Sequence, residues 1–296
     1  MLSRPTPTWA ENKKPGLFDF EMWKTPAAHE RDAAKHLAPD KLDLSAEPSA
    51  DAALRTVRLR VYADRDYRMI VLRWQRRLRA QIERVNAVSG PVFGVRFELE
   101  SVREWDRSHT GAALESMLGE LEALDPARDV DWVIGLVTPM RGIATSIHQV
   151  GLARILARHF VMRGMDDEQE ILALEREWKL LTPDERQGLY GDRKSHKEVV
   201  FFLHEWGHTL GLLHHEDPTA IMNPSYDAHQ AAFSLFEKRV VSLVVSHRLA
   251  PAPDGAGKPG AGAGDDRDLY PESVDLETLL AEIPSEEGSD KDRAQL

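Results

Sequence analysis

The residues best placed to do chemistry lie together in one stretch, residues 204–226, HEWGHTLGLLHHEDPTAIMNPSY. It holds four histidines, a glutamate beside the first of them, two glycines and a methionine. Imidazole nitrogen suits Zn2+ at about 2.0–2.1 Å. His204 and His208 stand one helical turn apart, which brings their Cβ atoms to about 5–6 Å on one face of a helix. Gly211 follows three residues later and can take the left-handed conformation that ends a helix sharply. The bend lets His214 swing back as a third ligand, which a continuing helix would prevent. Three histidines leave a tetrahedral zinc with one open position for water, the arrangement of a catalytic site. Glu205 is too near the metal axis to be a ligand and is placed to act on that water as a general base. His215 reads as a solvated bystander, and His148, His159, His196 and His229 as solvated or locally hydrogen-bonded. The pair HExxH alone is a moderate signal; glycine and the third histidine at fixed spacing make a chance match rare.

These side chains need a helix to carry them. Ser195 and Glu198 have capping-box spacing, which predicts a helix beginning near His196. Val199, Leu203, Trp206 and Leu210 then form a narrow apolar stripe toward the core, with the two histidines roughly opposite. Upstream, TVRLRVY (56–62) alternates like a half-buried strand, and residues 69–88 have apolar residues at helical spacing. A second strand is expected at 94–102, a helix around Leu114–Leu121 and a buried strand at 131–137. Short strands are expected near Val150–Ile155 and Arg158–Val161, then a charged helical insertion over about 166–190. Phe233, Phe236, Val240 and Val244 predict a closing helix.

The chain has 296 residues, no cysteine and a formal net charge of −11. Residues 251–296 hold 12 Asp/Glu and 4 Lys/Arg, so −8 of that charge lies there. The remainder is nearly balanced, with no basic stripe, and nucleic acid is not expected as a partner. No apolar run reaches the length of a membrane span, and the N-terminus shows no apolar signal core. The expected divisions are an irregular extension or pro-segment at 1–54, a catalytic domain at 55–250, and a Gly/Pro-rich linker with an acidic tail at 251–296. Within that tail, Val274, Leu276, Leu279, Leu280 and Ile283 make a short amphipathic piece.

HEWGHTLGLLH followed by AIMNPSY resembles the metzincin zinc endopeptidases. Met222 stands eight residues after His214, the spacing of the matrixin branch. The resemblance implies an α/β (α+β) fold, with a mixed five-stranded sheet packed on an active-site helix and a C-terminal helix. It implies that Met222 packs beneath a zinc ion, and that Pro224 to Tyr226 line the pocket for the residue past the scissile bond. The upstream text is more similar to the adamalysin branch, including an edge strand carrying Gly151 and Ala153, along which a peptide substrate would lie. The implied activity is hydrolysis of protein or peptide substrates by a monomer, secreted or in the cell envelope, with the cytoplasm as the alternative.

Several residues depart from the family pattern. His215 follows the last ligand, where each branch has another residue type, and Tyr226 lies four residues past Met222, not two. Arg154 falls where a structural-zinc histidine is expected, and no Asp/Gly calcium loop is readable. Without cysteine, a cysteine-switch pro-segment is impossible. Asp19 and His29 are candidate plugs for a latent form, against a bland polar extension. The alternatives are a non-catalytic zinc-containing scaffold module and another HExxH zinc hydrolase with a downstream glutamate as third ligand.

Overall fold

The computed structural model describes residues 25–35, 38–42, 54–107, 113–139, 147–165 and 167–249. The acidic tail, its amphipathic piece and Asp19 lie outside the described residues.

Five strands form one sheet in the order β2-β1-β3-β5-β4. β1 (Arg55–Asp64), β2 (Val95–Trp105), β3 (Trp132–Val137) and β5 (His159–Arg163) are parallel, and the short β4 (Gly151–Ala153) runs antiparallel to β5 at the edge. The sheet is mixed, as the resemblance implies. β1 was expected to be half-buried, yet from Leu59 onward every residue is buried. It is flanked by strands on both sides and covered on both faces, as parallel strands generally are. Arg60, a polar position of the alternating pattern, is therefore buried among acids: it donates to Glu100, Asp125 and Asp129 at 2.7–3.0 Å.

One face of the sheet packs on α3 (Trp74–Phe93), α6 (Pro183–Thr209) and α7 (Leu235–Arg248). The other face, with Trp105, Val133 and Val161, packs on α4 (Leu114–Leu124). The helix expected at 69–88 divides. α2 (Arg65–Ile70) is capped by Asp64, which accepts from Tyr67 N at 2.7 Å, and α3 starts after Arg73, whose φ of 54° breaks the run.

The largest correction concerns α6. It begins at Pro183, not near His196, and runs for 27 residues. Thr182 and Glu185 form the real capping box, with proline at the first turn, where its missing N–H costs nothing. Glu198, read as half of a cap, instead pairs with Arg84 of α3. The segment 166–190 accordingly separates into α5 (Asp167–Glu177) and the opening turns of α6.

The expected irregular N-terminal extension contains a helix, α1 (Pro26–Lys35). Arg31 pairs with Glu185 at 2.5 Å, and Asp40 N donates to Ala228 O at 2.9 Å, so this segment touches both the start of α6 and the loop before α7. Among the described residues, no helix is long and apolar enough to cross a membrane.

Candidate metal centre

α6 delivers the first two histidines because its apolar side is fixed. Val199, Phe202, Leu203 and Trp206 are buried, and Trp206 meets Phe93, Phe97 and Trp132 edge-on or tilted at 5.2–6.2 Å. Each such side chain contributes about 1.5–3 kcal/mol by leaving water. The end of the helix is pinned as well: Trp132 Nε1 donates to Thr209 Oγ1 at 2.8 Å, and Thr209 Oγ1 donates to Trp206 O at 2.6 Å.

Gly211 has φ +94° and follows the C-cap Leu210. Its N–H donates to His208 O and that of Leu212 to Gly207 O, the paired bonds of a glycine-ended helix. The chain turns there, and His214 comes back beside the helix. The three rings stand with centroids 4.7 Å (His204–His208), 4.8 Å (His208–His214) and 5.3 Å (His204–His214) apart. One nitrogen from each lies within 4.8 Å of the others, and this is the one such His/Cys/Asp/Glu group among the described residues. Among the described residues, no glutamate joins it.

The protonation pattern makes the group a fit for a cation. His204 Nδ1 donates to Ile221 O at 2.8 Å, and His208 Nδ1 donates to Leu212 O at 2.7 Å. A carbonyl oxygen can only accept, so both Nδ1 atoms carry the proton and, in the neutral rings, both Nε2 atoms present lone pairs. Those Nε2 atoms face each other at 3.1 Å. Two lone pairs cannot bond to each other; a Lewis acid between them satisfies both. Two nitrogens at about 2.0–2.1 Å from one tetrahedral ion would lie roughly 3.3 Å apart, close to the observed spacing.

Beneath the histidines lies the turn holding Met222, which is fully buried. Asn223 Nδ2 donates to the carbonyls of His215, Glu216 and Asp217, and Gln230 Nε2 to those of Ala220 and Asn223. His215 N donates to Met222 O at 3.0 Å. Gly207 makes the approach possible, because a Cβ there would lie 2.8 Å from Met222 Sδ. The intermediate glycine of HEWGH carried that signal: a glycine inside a helix needs a packing reason.

Glu205 is buried, and its Oε2 has no hydrogen-bond partner. Burial pushes its carboxyl well above the usual carboxylate range. Gly151, expected to touch substrate, lies against this carboxylate. Ala153 is half-buried at the other end of β4 and pairs in register with Phe160. Pro224 O accepts from Ile147 N at 2.8 Å, tying the loop after Met222 to the segment before β4. Tyr226 is held by His196. His196 Nε2 donates to Gln230 O at 2.7 Å, so its Nδ1 accepts from the Tyr226 hydroxyl at 2.9 Å.

Among the described residues, the other histidines singled out in the sequence sit elsewhere. His159 Nε2 donates to Asp125 O at 2.6 Å, and exposed His229 meets Asp40. His215 Nδ1 accepts from Asp217 N, and the side chain of His148 lies outside the described residues. Arg154 pairs with Glu122, and His29 is exposed on α1.

Residues 142–242 match the Peptidase_M10 family model, Matrixin, a span that includes β4, the three histidines, Glu205 and Met222. The chain resembles the matrixins. That likeness supports a zinc metallopeptidase. No curated protein matches the chain. Among solved structures, archaemetzincin from Methanopyrus kandleri is similar at 17% identity and TM-score 0.42, over 64% of this chain and 96% of that one. The matrixin-like segment begins just before β4 and ends within α7, so β1, β2 and β3 lie outside it.

Proposed function

We propose that this chain is a zinc-dependent endopeptidase in which His204, His208 and His214 hold the metal and Glu205 is the general base. The observation that carries the reading is the pair of facing Nε2 atoms at 3.1 Å, each with its Nδ1 committed to a carbonyl, beside a buried carboxylate that no hydrogen bond occupies. A purely structural site gains nothing from such a carboxylate. A zinc ion held there would supply a Lewis acid and, at its open position, a more acidic water.

Glu205 takes the proton of the attacking water and hands it to the leaving amine. A carboxylate beside the site, with no hydrogen bond on its Oε2, is free to accept and then release a proton. The substrate backbone lies extended along β4, the edge strand of the sheet, pairing as an added strand. Pro224 and Tyr226 form a wall of the pocket for the side chain past the scissile bond, and Ala153 contacts the strand. Gly151 serves the site through the space it leaves for Glu205, and Met222 forms the floor. In this reading the catalytic domain takes residues 55–250, the protein works as a monomer, and it acts outside the cytosol.

The test is metal content and cleavage measured together. The protein should hold about one zinc per chain and cleave casein or a peptide library until a chelator is added. Zinc without turnover over a broad library overturns the assignment.

A further inference from the structure

The corner between α2 and α3 exposes an apolar, strongly basic surface that the proposed peptidase chemistry does not use. Met69, Ile70 and Leu72 are 68%, 55% and 73% exposed, unusual for three large apolar side chains so close in sequence. Residues 65–84 contain seven arginines against one aspartate and one glutamate. Leu72, Arg73, Arg76, Arg77 and Ala80 line an open groove there. Arg68 pairs with Glu104 and Asp106, Arg77 with Asp167 and Arg84 with Glu198, while Arg73 and Arg76 have no ion pair with a described residue. Arg73 also holds φ 54° at the start of α3 without making a side-chain cap, a backbone state that arginine rarely adopts.

The sequence contains a segment of opposite character. Between residues 272 and 287 there are six acidic residues and no Lys or Arg. Leu276, Leu279, Leu280 and Ile283 recur there at helical spacing. This is the amphipathic piece of the tail, outside the described residues. We propose that residues 274–283 dock on the Met69–Ala80 surface of the same chain, leucines against Met69, Ile70 and Leu72 and acids against Arg73 and Arg76.

The reach is sufficient. Arg55 Nη1 donates to Ser246 Oγ at 2.9 Å, so α7 ends near the start of β1, whereas the basic corner follows the end of β1. The 10 residues of β1 span about 33 Å. The Gly-rich linker 250–273 reaches roughly 80 Å when extended and about 27 Å on average. The tether therefore covers the distance without strain.

The absence of native cysteine allows a direct test on the full chain. Leu280→Cys is paired with Leu72→Cys in one variant and with Leu54→Cys in another; Leu54 is 55% exposed and adjoins Arg55, nearer the tether. Docking predicts an intramolecular disulfide to position 72 that forms about tenfold faster than to position 54, and loss of that preference with Arg73→Glu and Arg76→Glu. Hydrogen exchange on the parent chain should show residues 69–80 deprotected by Leu279→Asp with Leu280→Asp. Equal rates at 72 and 54, or no change in exchange, overturn the proposal. Disulfide-linked dimers in place of the internal link assign the surface to a second copy, and co-sedimentation with phosphatidylserine vesicles lost on Arg73→Glu assigns it to a membrane; either result overturns it too.

Discussion

Gly151 of the edge strand lies directly against the carboxylate of Glu205: a Cβ at position 151 would meet Oε1 and sit 2.6 Å from Cδ. The edge strand and the residue assigned as base are therefore fitted to each other. Gly151→Ala should displace the Glu205 carboxylate while leaving the histidines in place. The expected result is a fall of about 10²-fold or more in kcat/KM, with zinc content unchanged by metal analysis. Activity equal to the parent would mean that Glu205 need not stand where it does.

Glu205→Gln keeps the shape of the side chain and removes its basicity. Cleavage should drop by about 10²–10⁴-fold with zinc retained. His214→Ala should instead lose zinc, read by dialysis against a metal buffer. Retention of zinc in that variant would point to a distant third ligand.

Gly207 lies over the sulfur of Met222, where an added Cβ comes within 2.8 Å of Sδ and 3.3 Å of Leu212 Cδ1. Both neighbours are buried, so neither has free space to enter. Gly207→Ala should cost about 1–3 kcal/mol in chemical denaturation. Because Leu212 and Ile221, the residue before Met222, orient His208 and His204 through their carbonyls, the substitution should also weaken zinc binding.

Arg60 gathers Asp125, Asp129 and Glu100 beneath the sheet. Arg60→Ala leaves the buried Asp125 with only Tyr62 and the Ala127 N–H as partners. Stranding a buried charge costs about 3–5 kcal/mol. Asp125 retains those two hydrogen bonds, so the lower end, about 3 kcal/mol, is expected by urea denaturation at neutral pH.

His159 and His196 are both held below the usual histidine range, first by burial, with their backbone carbonyl partners opposing it. Below pH about 6.5 the unfolded chain therefore takes up protons that the folded chain refuses. The contribution of these two residues is complete above that pH and is lost as the pH falls below it, at up to about 1.4 kcal/mol per unit for each histidine. Denaturation at pH 7.5 and 5.5 should show the loss, and His159→Gln should flatten it.

The convergence of the three histidines was legible in the sequence because its information is local: two histidines a turn apart, a glycine to stop the helix, and a third histidine within reach. The start of α6 was not. Ser195 and Glu198 imitate a cap, but Glu198 faces Arg84 on another helix, and no local pattern reveals that partner. β1 was misread for a related reason, since Arg60 looks like an outward residue until Asp125 and Asp129 are folded against it. Gly151 was placed on the edge strand by the resemblance, and it lies there; that the Glu205 carboxylate fills the space of its missing Cβ is set by tertiary packing that no local pattern shows.

If the three histidines hold a metal as proposed, the carbonyls of Ile221 and Leu212 have a consequence for how it is taken up. They set the tautomers of His204 and His208 through bonds that belong to the fold itself. The cradle is thus assembled and correctly protonated before any ion arrives, and binding has little chain left to order. Unlike a small zinc finger, which collapses only around its ion, this chain should persist folded when stripped and refill without refolding.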